Sequence, residues 1–250
     1  MNIPTIYGMN STSEAGRNVL APSIFLFGCN LRCPFCMNGR IVIKREEHIK
    51  NPVKTIEIES VLKYCEDNKS EWIMISGGEP FYINPEKFEN LINLLKDNGL
   101  KVGVSTNGTY PEKLKYFLKD IDYITMDFKS PNRKDYYILD AEKKSQEIEA
   151  MDRMLESLDI LRYHKKNNLG FDYEIRTTLY PQYIKDFSDL EKIGDYINKD
   201  ELWVIQPYRH ARNMLYEEIA LRFPEYTFEE CKDFLEVAKR FSIDAYIRYV

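Results

Sequence analysis

Three of the five cysteines, Cys29, Cys33 and Cys36, fall within eight residues, in the run Gly28-Cys29-Asn30-Leu31-Arg32-Cys33-Pro34-Phe35-Cys36. The spacing is C-x3-C-x2-C. Thiolates on one short loop can hold three corners of a cubane iron–sulfur cluster and leave the fourth iron open to another ligand. Structural zinc is the alternative, but it requires four ligands and a closed tetrahedron. The nearest further donor is His48, twelve residues past Cys36 in a charged stretch. Cys65 and Cys231 fall on the apolar faces of helical patterns and read as buried thiols packing as small hydrophobes. An odd cysteine count, so crowded, argues against a secreted disulfide framework and for a reducing cytoplasm.

The triad follows an apolar run, and that run has counterparts. SIFLFG (23–28), EWIMIS (71–76), KVGVST (101–106), YITMDF (123–128), FDYEIRTTL (171–179) and ELWVIQ (201–206) are rich in β-branched or aromatic residues and end in Gly, Asn, Pro or charge. Buried parallel strands have this pattern. Amphipathic stretches separate them. Asn84-Pro85 opens a helix that Gly99 ends, residues 146–168 form the longest helical pattern, closed by Gly170, and Thr227 to Glu230 is a capping box for a helix to about Phe241. Six βα units in tandem imply an α/β fold, a partial (βα)6 TIM-like barrel of parallel strands in a single domain over 1–250. Its core spans about 15–210, with a C-terminal helix and strand in 211–250.

In such folds chemistry sits at the C-terminal ends of the strands. The second run ends in Gly77-Gly78-Glu79-Pro80, where two glycines free the backbone to approach a ligand and Glu79 can accept from an ammonium. The third ends in Ser105-Thr106-Asn107-Gly108. The fourth ends in Asp127-Phe128-Lys129, which puts an acid and a base on one face at the strand period of two; a surface salt pair is the plainer reading. Arg176 lies on the fifth, as suited to Glu174 two residues away as to a ligand carboxylate. Gln206 ends the sixth, and His210 beyond it reads as solvated or locally bonded.

Composition excludes several classes. Apolar types at 44%, charged at 30% and aromatics at 13% describe a globular chain. Forty acidic against thirty-five basic residues, a net charge of −5, excludes nucleic-acid binding by overall charge. No run of eighteen apolar residues is present to span a membrane, and MNIPTIYGMNSTSE lacks the order of a signal peptide. The expected location is the cytoplasm.

CNLRCPFC after a strand resembles the signature of the radical S-adenosylmethionine (SAM) superfamily, with Phe35 at its aromatic position, and Gly77-Gly78-Glu79-Pro80 resembles that family's GGEP motif. The resemblance implies one radical SAM domain, oxygen-sensitive and anaerobic in habit. Cys29, Cys33 and Cys36 would hold a [4Fe–4S] cluster whose open iron chelates SAM; reductive cleavage then yields a 5′-deoxyadenosyl radical that abstracts a substrate hydrogen. Asp127-x-Lys129 resembles a motif of glycyl-radical-enzyme activases, such as those of pyruvate formate-lyase and anaerobic ribonucleotide reductase. That resemblance implies SAM contacts near Ser105, Asn107, Asp127, Lys129, Arg176 and Gln206, a glycyl radical enzyme as protein partner, and flavodoxin or ferredoxin as electron donor. In some activases a monovalent cation sits in this region; Ser105 stands where some of them carry an acid. The lack of further paired cysteines points to a one-cluster enzyme. A small-molecule enzyme resembling 7-carboxy-7-deazaguanine synthase is the alternative, followed by one acting on RNA or a peptide.

Replacing Cys29, Cys33 or Cys36 by Ala abolishes cluster reconstitution on this reading, whereas Cys65→Ala and Cys231→Ala retain wild-type iron content. Anaerobic reconstitution followed by iron and sulfide analysis checks both halves.

Overall fold

The structure is a computed structural model and describes residues 2–14, 19–42, 53–139, 149–167, 170–212 and 214–249. Eight strands, β1 (Ile6–Glu14), β2 (Leu20–Leu26), β3 (Trp72–Gly77), β4 (Lys101–Thr106), β5 (Tyr123–Asp127), β6 (Asp172–Leu179), β7 (Leu202–Pro207) and β8 (Tyr246–Ile247), follow one another in an open sheet in chain order. Helices are α1 (Gly39–Val42), α2 (Ile58–Asp67), α3 (Pro85–Asp97), α4 (Pro111–Phe117), α5 (Arg133–Leu139), α6 (Glu149–Lys166), α7 (Phe187–Gly194), α8 (Glu217–Ala220) and α9 (Phe228–Ala238). All six expected parallel strands are present, as β2 to β7. The unexpected element is β1, antiparallel to β2. Its sequence IYGMNSTSE lacks a continuous apolar run, and an antiparallel strand can leave one face to water. Residues 146–148 and 168 of the expected long helix, and His48, lie outside the described residues.

The chain forms two compact units. The first comprises Met1–Asn30, Asn38–Thr125 and Arg153–Tyr173. Here β2 pairs parallel with β3 and β3 with β4. Ile24, Leu26, Ile73, Ile75, Val102 and Val104 are fully buried, and full burial of such a side chain contributes about 1.5–3 kcal/mol. Helix α3 starts as its sequence dictates: Asn84 Oδ1 accepts from Lys87 N at 3.2 Å, and Pro85 takes the first turn. Phe88, on the buried face of this helix, packs edge-on to Phe81 at 5.4 Å and to Phe117 at 5.0 Å.

The second unit comprises Leu31–Met37, Met126–Asp152 and Glu174–Val250. In it β6, β7 and β8 run parallel, with Glu174 opposite Leu202 and Val204 opposite Tyr246. Phe128 N donates to Arg176 O at 2.8 Å, joining the residues after β5 to β6. The capping box opens α9, Thr227 and Glu230 bonding each other's backbone N–H. The chain end is held by a buried ion pair: Arg248 donates to both Glu174 oxygens, at 2.5 and 2.8 Å, with Glu174 fully buried.

Removing one partner of a buried pair leaves an uncompensated charge. Arg248→Met is therefore expected to lose about 3–5 kcal/mol of unfolding free energy, and Glu174→Gln combined with Arg248→Met much less, in urea titrations.

Candidate active site at the strand ends

In the first unit the ends of β2, β3 and β4 are bound together. Gly78 N donates to Leu26 O at 2.9 Å and Glu79 N to Gly28 O at 2.7 Å. A Cβ on Gly78 would collide with the Gly28 carbonyl, and Gly77 at φ +111° faces the Leu26 backbone, so both positions require glycine. The Gly77 carbonyl accepts from Asn38 Nδ2 at 2.7 Å.

Glu79 lies beneath the surface, 1% exposed. Oε1 accepts from Phe81 N at 3.1 Å and Thr106 Oγ1 at 2.7 Å, and Oε2 from Asn107 N at 2.7 Å. A buried carboxylate needs such donors. Glu79 therefore straps the end of β3 to the end of β4, a role that its reading as an ammonium acceptor missed. Pro80 opens a single 3-10 turn to Tyr82, clamped by Lys113, whose Nζ donates to Phe81 O at 2.6 Å and Ile83 O at 3.0 Å. Burial lowers the Lys113 pKa, with the Glu79 charge opposing. Asn107 donates from Nδ2 to Asn30 Oδ1 at 3.0 Å and towards Cys29 Sγ at 3.7 Å. Ser105, one residue before Thr106, is half-buried on β4.

In the second unit the rest of the cysteine loop makes a β-turn. Cys36 N donates to Cys33 O at 3.1 Å, with Pro34 at the second turn position, where its fixed φ is favoured. Cys33 and Cys36 thus stand at the two ends of one turn. Phe35 lies between them and packs at 4.5 Å on Tyr180, 6.0 Å from Tyr183 and 6.3 Å from Tyr208, ring centre to ring centre. A segment beyond β7 holds this turn: Leu215 N donates to Cys36 O at 3.0 Å and Tyr216 N to Pro34 O at 3.3 Å.

At the end of β5, Asp127 is gripped from two sides. Arg176 Nε donates to Oδ1 at 2.6 Å and Lys129 Nζ to Oδ2 at 2.7 Å. With side chains 19% and 14% exposed, Asp127 and Lys129 are not the surface pair of the plainer reading. Nor is Arg176 matched to Glu174 through the bidentate pair, which Arg248 makes. Burial alone would raise the Asp127 pKa, but Arg176 and then Lys129 hold it at about 2. Burial pushes the Cys33 thiol up, with the Lys129 charge opposing. Gln206, on β7 opposite Thr178, has a buried side-chain oxygen with no donor, and the Tyr180 and Tyr183 hydroxyls are likewise buried and unpartnered. His210 bonds locally, as expected: Nε2 lies 3.1 Å from Phe223 O.

The donors fit an iron–sulfur cluster by their chemistry. All five cysteines are free thiols, with Cys65 and Cys231 buried as expected. Among the described residues no three Cys, His, Asp or Glu side chains are gathered as a metal site, so the fit of the triad rests on donor type and chain position. The orphaned Gln206 oxygen suits a ligand that brings a donor of its own. No helix among the described residues is long and apolar enough to cross a membrane.

Residues 23–196 match the Radical SAM superfamily, and the chain belongs to it. The cofactors are those of the superfamily, a [4Fe–4S] cluster and SAM. A Methanocaldococcus jannaschii protein named "Putative glycyl-radical enzyme activating enzyme MJ1227" is 27% identical over 91% of this chain and 88% of its own length. The 7-carboxy-7-deazaguanine synthase of Aquifex aeolicus is 25% identical over the same shares, 91% and 88%. Among solved structures, TYW1 with a lysine-pyruvate adduct superposes with a TM-score of 0.56 at 19% identity, covering 89% of this chain and 74% of that one; the likeness is one of fold.

Asp127 offers a check by pH. A carboxyl held at about 2 when folded, against about 3.9 unfolded, contributes stability that is present above pH 4 and lost as pH falls towards 2. Wild type should lose about 2 kcal/mol through this group across that window, and Asp127→Asn should lack that part of the slope in urea titrations at stepped pH.

Proposed function

We propose that this chain is an activase that uses SAM to install a glycyl radical on a partner enzyme. The ion group at the end of β5 carries the reading: Asp127-x-Lys129 resembles the activase motif, and Arg176 joins it. The M. jannaschii relative, similar over most of both chains and bearing a name of that class, supports it.

Cys29, Cys33 and Cys36 would hold the cluster. Cluster and SAM together supply reductive cleavage and a radical that removes hydrogen. Lys129 and Arg176 share one carboxylate, and the excess positive charge suits the carboxylate of SAM. The Gln206 oxygen would accept from a SAM amine or hydroxyl. Gly77 and Gly78 keep side chains off the end of β3, while Glu79 and Pro80 fix the turn that follows. The hydrogen leaves the glycine Cα as an atom, so this chain need supply no general base. The electron would come from a flavodoxin or ferredoxin.

A second reading has its own support in the similarity to the A. aeolicus synthase. The two separate in one assay. Reduced, reconstituted protein with SAM should form 5′-deoxyadenosine slowly alone and many-fold faster with a candidate glycyl radical enzyme, leaving a glycyl radical signal in electron paramagnetic resonance. Rapid multiple turnover on a purine or pterin, with no radical left on protein, would overturn the activase reading in favour of the second.

A further inference from the structure

The side chain of Asn107 is fixed in one orientation by its neighbours in the first unit. The Thr109 backbone N–H, which can only donate, points at Asn107 Oδ1 at 2.9 Å. The Thr109 hydroxyl donates to the same oxygen at 2.6 Å, and accepts from Asn30 Nδ2 at 2.9 Å. An amide nitrogen in place of Oδ1 would set donor against donor, so this network distinguishes the two ends of the side chain. Nδ2 must face the other way. There its hydrogens meet Asn30 Oδ1 at 3.0 Å and Cys29 Sγ at 3.7 Å, a normal separation for a bond to sulfur. The backbone is tied as well, since Asn107 N donates to Glu79. At 5% exposure little water competes for the amide.

We infer that Asn107 is a positioning residue for the cluster: its amide N–H donates to the Cys29 thiolate sulfur, fixes that ligand, and makes the cluster easier to reduce. Hydrogen bonds to the ligating sulfurs are among the determinants of iron–sulfur potential, because they stabilise the more negative, reduced state. Thr109 and Asn30 act through Asn107 by holding its amide the right way round. The inference rests on the cluster and not on the identity of the substrate.

The test is potentiometry on the reconstituted protein, read by electron paramagnetic resonance, with iron content measured in every sample. Asn107→Leu keeps the size of the side chain and removes the donor. The ratio of reduced to oxidised cluster at a fixed potential should fall about tenfold, a midpoint about 59 mV more negative for one electron. Thr109→Val keeps the backbone donor, removes the hydroxyl, and should shift the midpoint less, in the same direction. An unmoved midpoint in Asn107→Leu at wild-type iron content overturns the inference. Should Asn107→Leu fail to fold or load, Thr109→Val decides, and an unmoved midpoint there overturns it equally. Wild-type protein that takes up no cluster at all would overturn the cofactor assignment itself.

Discussion

In the first unit, two backbones must meet with no side chain between them. Gly78 lies against the Gly28 carbonyl, and the hydrogen bonds from Gly78 to Leu26 and from Glu79 to Gly28 exist only because of that approach. Glu79 is thereby carried under the end of β4, where Thr106 and Asn107 complete its donors. Asn107, anchored there, sets its amide beside Cys29. One small residue just past β3 thus governs the surroundings of Cys29 on the loop after β2. The chain of cause runs through main-chain bonds and a buried carboxylate, both of which are intolerant of half-measures.

Electrostatics takes the corresponding part in the second unit. Two ion pairs start from β6: Glu174 is bonded by Arg248, and Arg176 bonds Asp127. A single arginine on a strand with a glutamate two residues away could have neutralised itself locally. Arg248 bonds both oxygens of Glu174, while Arg176 reaches to the end of β5, where it and Lys129 hold one carboxylate ionised.

Much of this was legible beforehand, for physical reasons. Strands buried on both faces write themselves as apolar runs, which is why β2 to β7 could be read. Asn84-Pro85 and Thr227 to Glu230 announce helix starts through cap chemistry that depends on neighbouring residues alone. Strand β1 was not legible because an antiparallel strand needs no such run. The carboxylate strap of Glu79, the clamp of Arg248 and the amide of Asn107 depend on partners 27, 74 and 78 residues away, and no local pattern encodes those pairings. The type of each residue was visible; its partner was not.

The bonds from Leu215 and Tyr216 to the carbonyls of Cys36 and Pro34 carry a consequence for biosynthesis. A ribosome makes the cysteine loop early and the segment that fastens it late. A nascent chain emerged only as far as β5 carries all three thiols of the loop, but Cys36 and Pro34 still have carbonyls awaiting their mates. The turn gains its full set of main-chain bonds only once Leu215 and Tyr216 have been made, so the order of synthesis places the finishing of this loop after that of the strands preceding it.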